Sequence, residues 1–177
     1  MKILISNERV LLCMDLFILR HGKAEKSSDV TPDSARALTR EGKEEVKKVA
    51  LWMKVNNIRF DAIATSPLKR ACETAKIVAA VLDQKDRLTV WEELAPGGDP
   101  DTICYHASEY NENATVLIIG HEPGLSMLIS KIIGDTGDAS ITLSKAGLAK
   151  IQNYSFTRQP SGDLRWLLTP KHMRLIR

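Results

Sequence analysis

Two arginines and two histidines stand at or just beyond the ends of three apolar segments of the chain. They are Arg20, His21, Arg70 and His121. A guanidinium group binds phosphate oxygens through charge-assisted hydrogen bonds, and an imidazole can act as a nucleophile. If the fold brings the three segments to one place, these side chains form a pocket for a phosphoryl group.

The positions of Arg70 and His121 favour an anion as the ligand. Both lie at the start of predicted helices, where a cation opposes the helix dipole. An anion bound beside the helix N-termini removes that conflict. Gly22 directly follows His21 and would let the backbone approach the ligand closely.

The elements that must position these residues alternate along the chain. Short apolar runs predict strands buried on both faces, over 16–19, 61–65 and 115–119. Four helical patterns alternate with them. The first has its N-cap at Thr39, and the second starts at Ser66-Pro67, with the proline in the first helical position. The third starts near 101 and the fourth after Pro123. In an open α/β sheet, ligands bind outside the carboxyl ends of the strands, where all four residues lie.

The end of the chain has a different pattern. Residues 148–157 and 164–169 read as two antiparallel strands around a loop at 159–162. The fold class predicted is therefore α/β, with a mainly parallel sheet, helices on both faces, and antiparallel strands near the C-terminus.

Length and composition agree with one soluble domain. The chain has 177 residues, 44% of them hydrophobic, and a net charge of +3, which implies neither a nucleic-acid partner nor a membrane surface. A complete strand begins at Met14, so we expect a single domain over 14–177 and treat 1–13 as an N-terminal extension of uncertain status. We expect no secretory or membrane-spanning segment, and the three scattered cysteines suit a reduced, cytoplasmic interior.

Other phosphatase and phosphate-binding signatures fail. No cysteine has an arginine at the Cys-x5-Arg spacing, and the chain has no P-loop and no metal-ligand spacing.

Three motifs resemble the histidine phosphatase (phosphoglycerate mutase-like) superfamily. They are Leu19-Arg20-His21-Gly22, Ser66-Pro67-Leu-Lys-Arg70-Ala-x-x-Thr74-Ala75 and Gly120-His121-Glu-Pro123. Within the superfamily, the chain is similar to the small SixA-type phosphohistidine phosphatases, whose connecting motifs resemble 36–42 and 93–99. The resemblance runs from about Met14 almost to the C-terminus, and the family fold agrees with the pattern above.

The resemblance implies a covalent mechanism. Neutral His21 attacks phosphorus and becomes a phosphohistidine, which water then hydrolyses. Arg20, Arg70 and His121 hold the phosphoryl oxygens and offset the charge of the transition state, and no metal or cofactor is needed. The positive charge of Arg20 should also keep His21 neutral.

Two further residues have two interpretations each. Glu93 falls where mutase-like members carry a general acid, but it could instead only cap or solvate the turn at Pro96. Arg36 is either a second phosphate contact or a solvated loop arginine.

The resemblance predicts a phosphatase for phosphohistidine on a signalling protein, either a histidine phosphotransfer domain or a histidine kinase. One alternative is a small-molecule phosphomonoesterase or mutase-like enzyme with the same pocket. The other is a phosphate-binding module without turnover.

Overall fold

The computed structural model describes residues 14–27, 30–134 and 140–174. The extension assigned to 1–13 lies outside these residues. The strands are β1 (Met14–Arg20), β2 (Ala62–Thr65), β3 (Leu88–Val90), β4 (Thr115–Gly120), β5 (Leu148–Phe156) and β6 (Pro160–Leu168). The helices are α1 (Arg40–Val55), α2 (Lys69–Leu82), α3 (Pro100–Ser108), α4 (Gly124–Ile133) and α5 (Pro170–Met173), with short 3₁₀ turns at Asp33–Ala35, Lys85–Arg87 and Glu92–Leu94.

The strands form one six-stranded sheet in the order β3-β2-β4-β1-β5-β6. The pairs β3–β2, β2–β4 and β4–β1 are parallel, whereas β1–β5 and β5–β6 are antiparallel. This arrangement confirms the predicted mixed sheet with its antiparallel strands late in the chain.

Apolar side chains on the two faces of the sheet build two separate cores. In β4, Val116 and Ile118 face one core and Leu117 and Ile119 face the other, because successive strand residues point to opposite sides. Helices α3 and α4 cover the first core, and α1, α2 and α5 cover the second. Strands β1, β2 and β4 are therefore buried on both faces, as their apolar runs predicted. No helix in the described part of the chain is long and apolar enough to cross a bilayer.

The start of α1 follows its predicted capping signal. Thr39 is the N-cap, and its Oγ1 accepts a hydrogen bond from the backbone N–H of Gly42 at 2.9 Å. The helix ends at Val55, before the predicted stop at Asn56.

The predicted start of α2 is wrong by two residues. Pro67 is not the first helical residue, because the helix begins at Lys69 and Leu68 is the N-cap. The Ser66 hydroxyl accepts from the N–H of Leu68 two residues on, which closes a local turn instead of a helical one. The chain therefore bends once more between β2 and the helix, and Arg70 becomes its second residue.

The predicted loop at 159–162 is also too long. Strand β6 begins at Pro160, so the connection from β5 is only 157–159. A proline is tolerated there because β6 is an edge strand and Pro160 is its first residue.

Candidate active site

The carboxyl ends of β1, β2 and β4 bring the four predicted residues into one pocket. Because these three strands are neighbours and run parallel, their ends lie at the same edge of the sheet. The pocket has a volume of about 380 Å³. It is lined by Arg20, His21, Ala24, Asp33, Arg36, Arg70, Pro96, His121, Glu122 and Lys145.

The imidazole of His21 is held in one tautomer by its own neighbour. Its Nδ1 lies 2.7 Å from the backbone carbonyl oxygen of Gly22. A carbonyl oxygen only accepts, so Nδ1 carries the proton and Nε2 keeps its lone pair. The Nε–H of Arg70 lies 3.3 Å from this Nε2, on the side of the ring that faces the pocket. His21 is 7% exposed, and Nε2 is its one ring nitrogen with a lone pair for attack.

The surroundings of His21 also keep the ring uncharged. Burial lowers the pKa of His21 from its ordinary 6.5 to about 4, and the charges of Arg70, Arg20 and Lys145 add to that effect. The hydrogen bond to the Gly22 carbonyl opposes the shift but does not outweigh it. At neutral pH the ring is therefore a free base.

His121 lies directly beside His21 in the pocket. The two ring centroids are 4.9 Å apart, and the Nε2 of His121 lies 2.8 Å from the hydroxyl oxygen of Ser66. Burial, followed by the charges of His21 and Arg70, lowers the pKa of His121 to about 3. Its buried Nδ1 has no hydrogen-bond partner among the described residues. His121 is thus a neutral ring in the lining of the pocket, with its Nε2 hydrogen-bonded to Ser66.

Arg70 is 4% exposed and pairs with Asp33, a residue that sequence analysis missed. Its two terminal nitrogens donate to the backbone oxygen of Asp33 at 2.7 Å and to the carboxylate at 3.0 Å. Arg36 also contacts that carboxylate, at 2.9 Å, and lines the pocket. Asp33 is thus the counter-ion of two pocket cations, and the Arg70 charge helps to lower the pKa of its carboxyl.

Arg20 connects β1 to the segment 143–147 on the other side of the pocket. Its guanidinium donates to the carbonyl of Leu143 at 2.9 Å, and its backbone N–H donates to the carbonyl of Gly147 at 3.1 Å. The N–H of Ala146 donates to the carbonyl of His21 at 3.2 Å. Ala146 has a φ of 52°, a conformation that costs an alanine energy, and the adjacent Lys145 lines the pocket. This segment was not predicted as part of the site.

Gly22 lies beside the pocket and not on its lining. A Cβ at this position would come within 2.6 Å of Val46 on α1, so the glycine permits close packing of that helix. Its N–H donates to the Thr74 hydroxyl at 3.2 Å, and that hydroxyl donates to the carbonyl of Arg70 at 2.8 Å. Gly22 and Thr74 therefore connect the loop that holds His21 to the helix that bears Arg70.

Glu93 lies in the 3₁₀ turn after β3 and does not line the phosphate pocket. Its carboxylate is 2.5 Å from the Nδ1 of His106, whose ring stacks on Trp91 with a centroid separation of 4.1 Å. Glu93 is among the residues that line an adjoining groove, which shares Pro96, His121 and Glu122 with the pocket.

Sequence signals exist for some of the residues that were missed. Asp33 and Arg36 have the i,i+3 spacing of an ion pair, and Glu122 directly follows His121. Lys145 offers no such signal, because only the tertiary hydrogen bonds of its segment bring it to the pocket. Within the described ranges, no group of three or more His, Cys, Asp or Glu side chains could hold a metal ion.

Comparisons with known proteins agree with this geometry. The model of the histidine phosphatase superfamily (branch 1) matches residues 16–95. Phosphohistidine phosphatase SixA of Escherichia coli (strain K12) is 29% identical over 174 residues, covering 93% of this chain and 99% of the relative. An uncharacterised protein of Picosynechococcus sp. is 32% identical over 163 residues, covering 89% and 98%. A solved structure of the protein histidine phosphatase SixA complexed with tungstate aligns with a TM-score of 0.79 at 27% identity, over 89% of this chain and 98% of that one.

Proposed function

The chain belongs to the histidine phosphatase superfamily and is a phosphatase, and from this premise we propose that it dephosphorylates phosphohistidine on a partner protein. His21 is the proposed nucleophile. The partner is a histidine phosphotransfer domain or a histidine kinase. The similarity to phosphohistidine phosphatase SixA over nearly the whole of both chains supports this choice of substrate.

The observation that carries the proposal is the state of the His21 ring. Its Nδ1–H is bound to the Gly22 carbonyl, and burial keeps the ring neutral, so Nε2 is a nucleophile at neutral pH. The guanidinium of Arg70 lies beside that atom and offsets negative charge on the phosphoryl oxygens. Arg20 and His121 lie on the remaining sides of the same pocket.

The proposed reaction runs in two steps, phosphoryl transfer to His21 and then hydrolysis. The Nε2 lone pair of His21 attacks phosphorus as the P–N bond of the substrate breaks. The substrate ring, which carries a proton on its other nitrogen, keeps the electron pair of that bond and leaves as a neutral imidazole. Water then attacks the phosphohistidine formed on His21, releases inorganic phosphate, and regenerates the neutral ring. The first step exchanges one P–N bond for another, so it demands little of a general acid. Glu93 remains our candidate proton donor only for phosphomonoesters, whose leaving groups are more basic.

The pocket suits a phosphoryl group presented on a protein surface. Asp33 on its rim has a side chain that is 56% exposed, and Pro96 and Lys145 beside it are exposed as well. The connections that border the opening are 83–114 between α2 and β4, 22–39 between β1 and α1, and the segment 143–147 before β5. The pocket itself is lined mainly by charged and polar residues that suit a phosphoryl group, so it gives the rest of a small sugar phosphate little binding energy.

The test compares substrates and traps the intermediate. We expect kcat/KM for a phosphohistidine-bearing phosphotransfer domain to exceed that for phosphoserine and sugar phosphates by at least ~10²-fold. Quenching in alkali, where phosphohistidine survives, should recover labelled phosphate on the wild-type protein and on His172→Ala, but not on His21→Ala. Tungstate should compete with substrate.

Each alternative has its own outcome. A small metabolite hydrolysed as fast as the phosphoprotein would replace this assignment with a small-molecule phosphatase. Phosphate binding without turnover on any substrate would identify a binding module. Full activity of His21→Ala would exclude the covalent mechanism.

We further propose that residues 14–177 are sufficient as the catalytic domain and that the protein is cytoplasmic. The free cysteines Cys72 and Cys104 support a reducing compartment. A chain that starts at Met14 should keep its kcat and its melting temperature, and a loss of many degrees would assign the extension an integral role.

A further inference from the structure

A groove of about 420 Å³ adjoins the phosphate pocket along the wall formed by Pro96, His121 and Glu122. It lies between the turn at 95–99 and the start of α4. Its apolar lining consists mainly of Leu94, Pro96, Ile103, Pro123, Leu125 and Met127. Any substrate with its phosphoryl group at His21 has this groove within reach.

The three carboxylates of the groove are already engaged by the chain itself. Glu122 accepts from the Ser126 hydroxyl at 2.7 Å and from the Leu143 N–H at 2.9 Å. Glu93 contacts His106. Asp99 caps α3 by accepting from the N–H groups of its first turn. A polyhydroxylated ligand would therefore have to compete with these internal hydrogen bonds, whereas an apolar group would meet apolar side chains directly.

The walls of the groove are held in place. The Lys131 ammonium of α4 contacts the Asp101 carboxylate of α3 at 2.7 Å, which ties together the helices on either side. A Cβ at Gly98 would lie 1.7 Å from the Glu93 carbonyl oxygen, so the turn at 95–99 packs as tightly as glycine allows. The floor residues Leu94, Ile103 and Leu125 are buried and belong to the core. The groove is thus a preformed feature of the fold.

The outer end of the groove is open. Met127 is 56% exposed although it is apolar and lies on a helix that otherwise buries its apolar face. A ligand that covers Met127 and also reaches His21 must span the whole groove and continue beyond it. Such reach is typical of a polypeptide, and the unbranched methionine side chain adapts to apolar partners.

We propose that this groove binds an apolar side chain of the phosphoprotein substrate, next to the phosphorylated residue. The inference rests on the proposed function and adds to it a recognition site outside the phosphate pocket. Apolar contact there supplies affinity for the protein substrate, and the pocket supplies the chemistry.

The test substitutes the exposed end of the groove without changing charge. Met127→Gln should raise KM for the phosphohistidine-bearing phosphotransfer domain about tenfold, with kcat within about twofold of wild type. Hydrolysis of p-nitrophenyl phosphate should stay within about twofold, because this small substrate does not reach Met127. Met127→Leu should restore the wild-type KM. The matched control is Val55→Gln, which replaces a 72% exposed apolar residue at the far end of α1 and should change neither substrate.

The remaining outcomes contradict the inference at different points. An unchanged KM in Met127→Gln, or an equal rise in Val55→Gln, overturns the groove as a recognition site while the proposed function stands. Met127→Gln could instead slow the hydrolysis of a small apolar substrate, 1-naphthyl phosphate, and leave the phosphoprotein unaffected. That result would mean that the groove receives a small apolar molecule and not a protein. A wild-type protein that hydrolyses small phosphates but not the phosphoprotein overturns the proposed function itself.

Discussion

The two halves of the sheet contribute to the pocket in different ways. In the parallel half, strands β1, β2 and β4 end at one edge, and the residues that follow them are brought together by topology alone. In the antiparallel half, the amino end of β5 meets the carboxyl end of β1, with Leu148 opposite Leu19. The segment 143–147 before β5 therefore reaches the same edge, where backbone hydrogen bonds to Arg20 and His21 hold it. The first half positions the catalytic groups, and the second adds a rim.

The largest effect is expected in the parallel half. Arg70→Ala should lower kcat/KM by about 10²-fold or more on every substrate, because the guanidinium beside the nucleophile stabilises charge that develops in the transition state. Arg20→Ala and His121→Ala should have losses of similar size. Steady-state kinetics with p-nitrophenyl phosphate measures this, and circular dichroism shows whether the fold is kept. A loss below about threefold in Arg70→Ala would mean that the parallel half does not supply the phosphate contacts.

A smaller effect is expected from the antiparallel half. Lys145 lines the pocket on an exposed rim, so Lys145→Gln should raise KM about tenfold and leave kcat nearly unchanged. The control is Lys85→Gln, an exposed lysine before β3 at the opposite edge of the sheet. If Lys145→Gln lowers kcat as far as Arg70→Ala does, both halves of the sheet contribute to catalysis, and the distinction between them is wrong.

The smallest effect is expected at Glu93. Glu93→Gln should change phosphohistidine hydrolysis by no more than about twofold, because the leaving imidazole needs little help from an acid. An alkyl phosphate should be slowed far more if Glu93 is the proton donor. Measuring both substrates in parallel separates the two roles, and an equal loss on both would mark the Glu93–His106 pair as structural.

The parallel half could be predicted in detail from the sequence. Runs such as 115–119 are apolar at every position because the strand is buried on both faces, and that pattern is visible without a structure. The residues after such runs must then share an edge, which is why the sequence predicts one pocket for Arg20, His21, Arg70 and His121, and the structure places them in one.

The parts that were missed depend on weaker or tertiary signals. Strand β3 has three residues and is only half-buried, so its apolar pattern is too short to recognise. Asp33 and Lys145 lie on connections whose course is fixed by contacts with distant residues, among them Arg70 and Arg20. The predicted start of α2 is too early because the Ser66 hydroxyl closes a turn before the helix. A serine followed by proline has the same sequence pattern whether it caps a helix or closes such a turn.

The neutral imidazoles of His21 and His121 also couple the fold to proton concentration. Their pKa values fall to about 4 and about 3 in the folded protein, whereas an unfolded chain binds these protons near pH 6.5. Unfolding therefore takes up protons between pH 6.5 and 4, so the free energy of unfolding is highest above pH 6.5 and decreases as the pH falls through that window. Urea unfolding at pH 7.5 and pH 5 should show a lower midpoint at pH 5, and His21→Gln should reduce the difference. The arrangement that keeps the nucleophile ready thus makes the whole domain sensitive to acid.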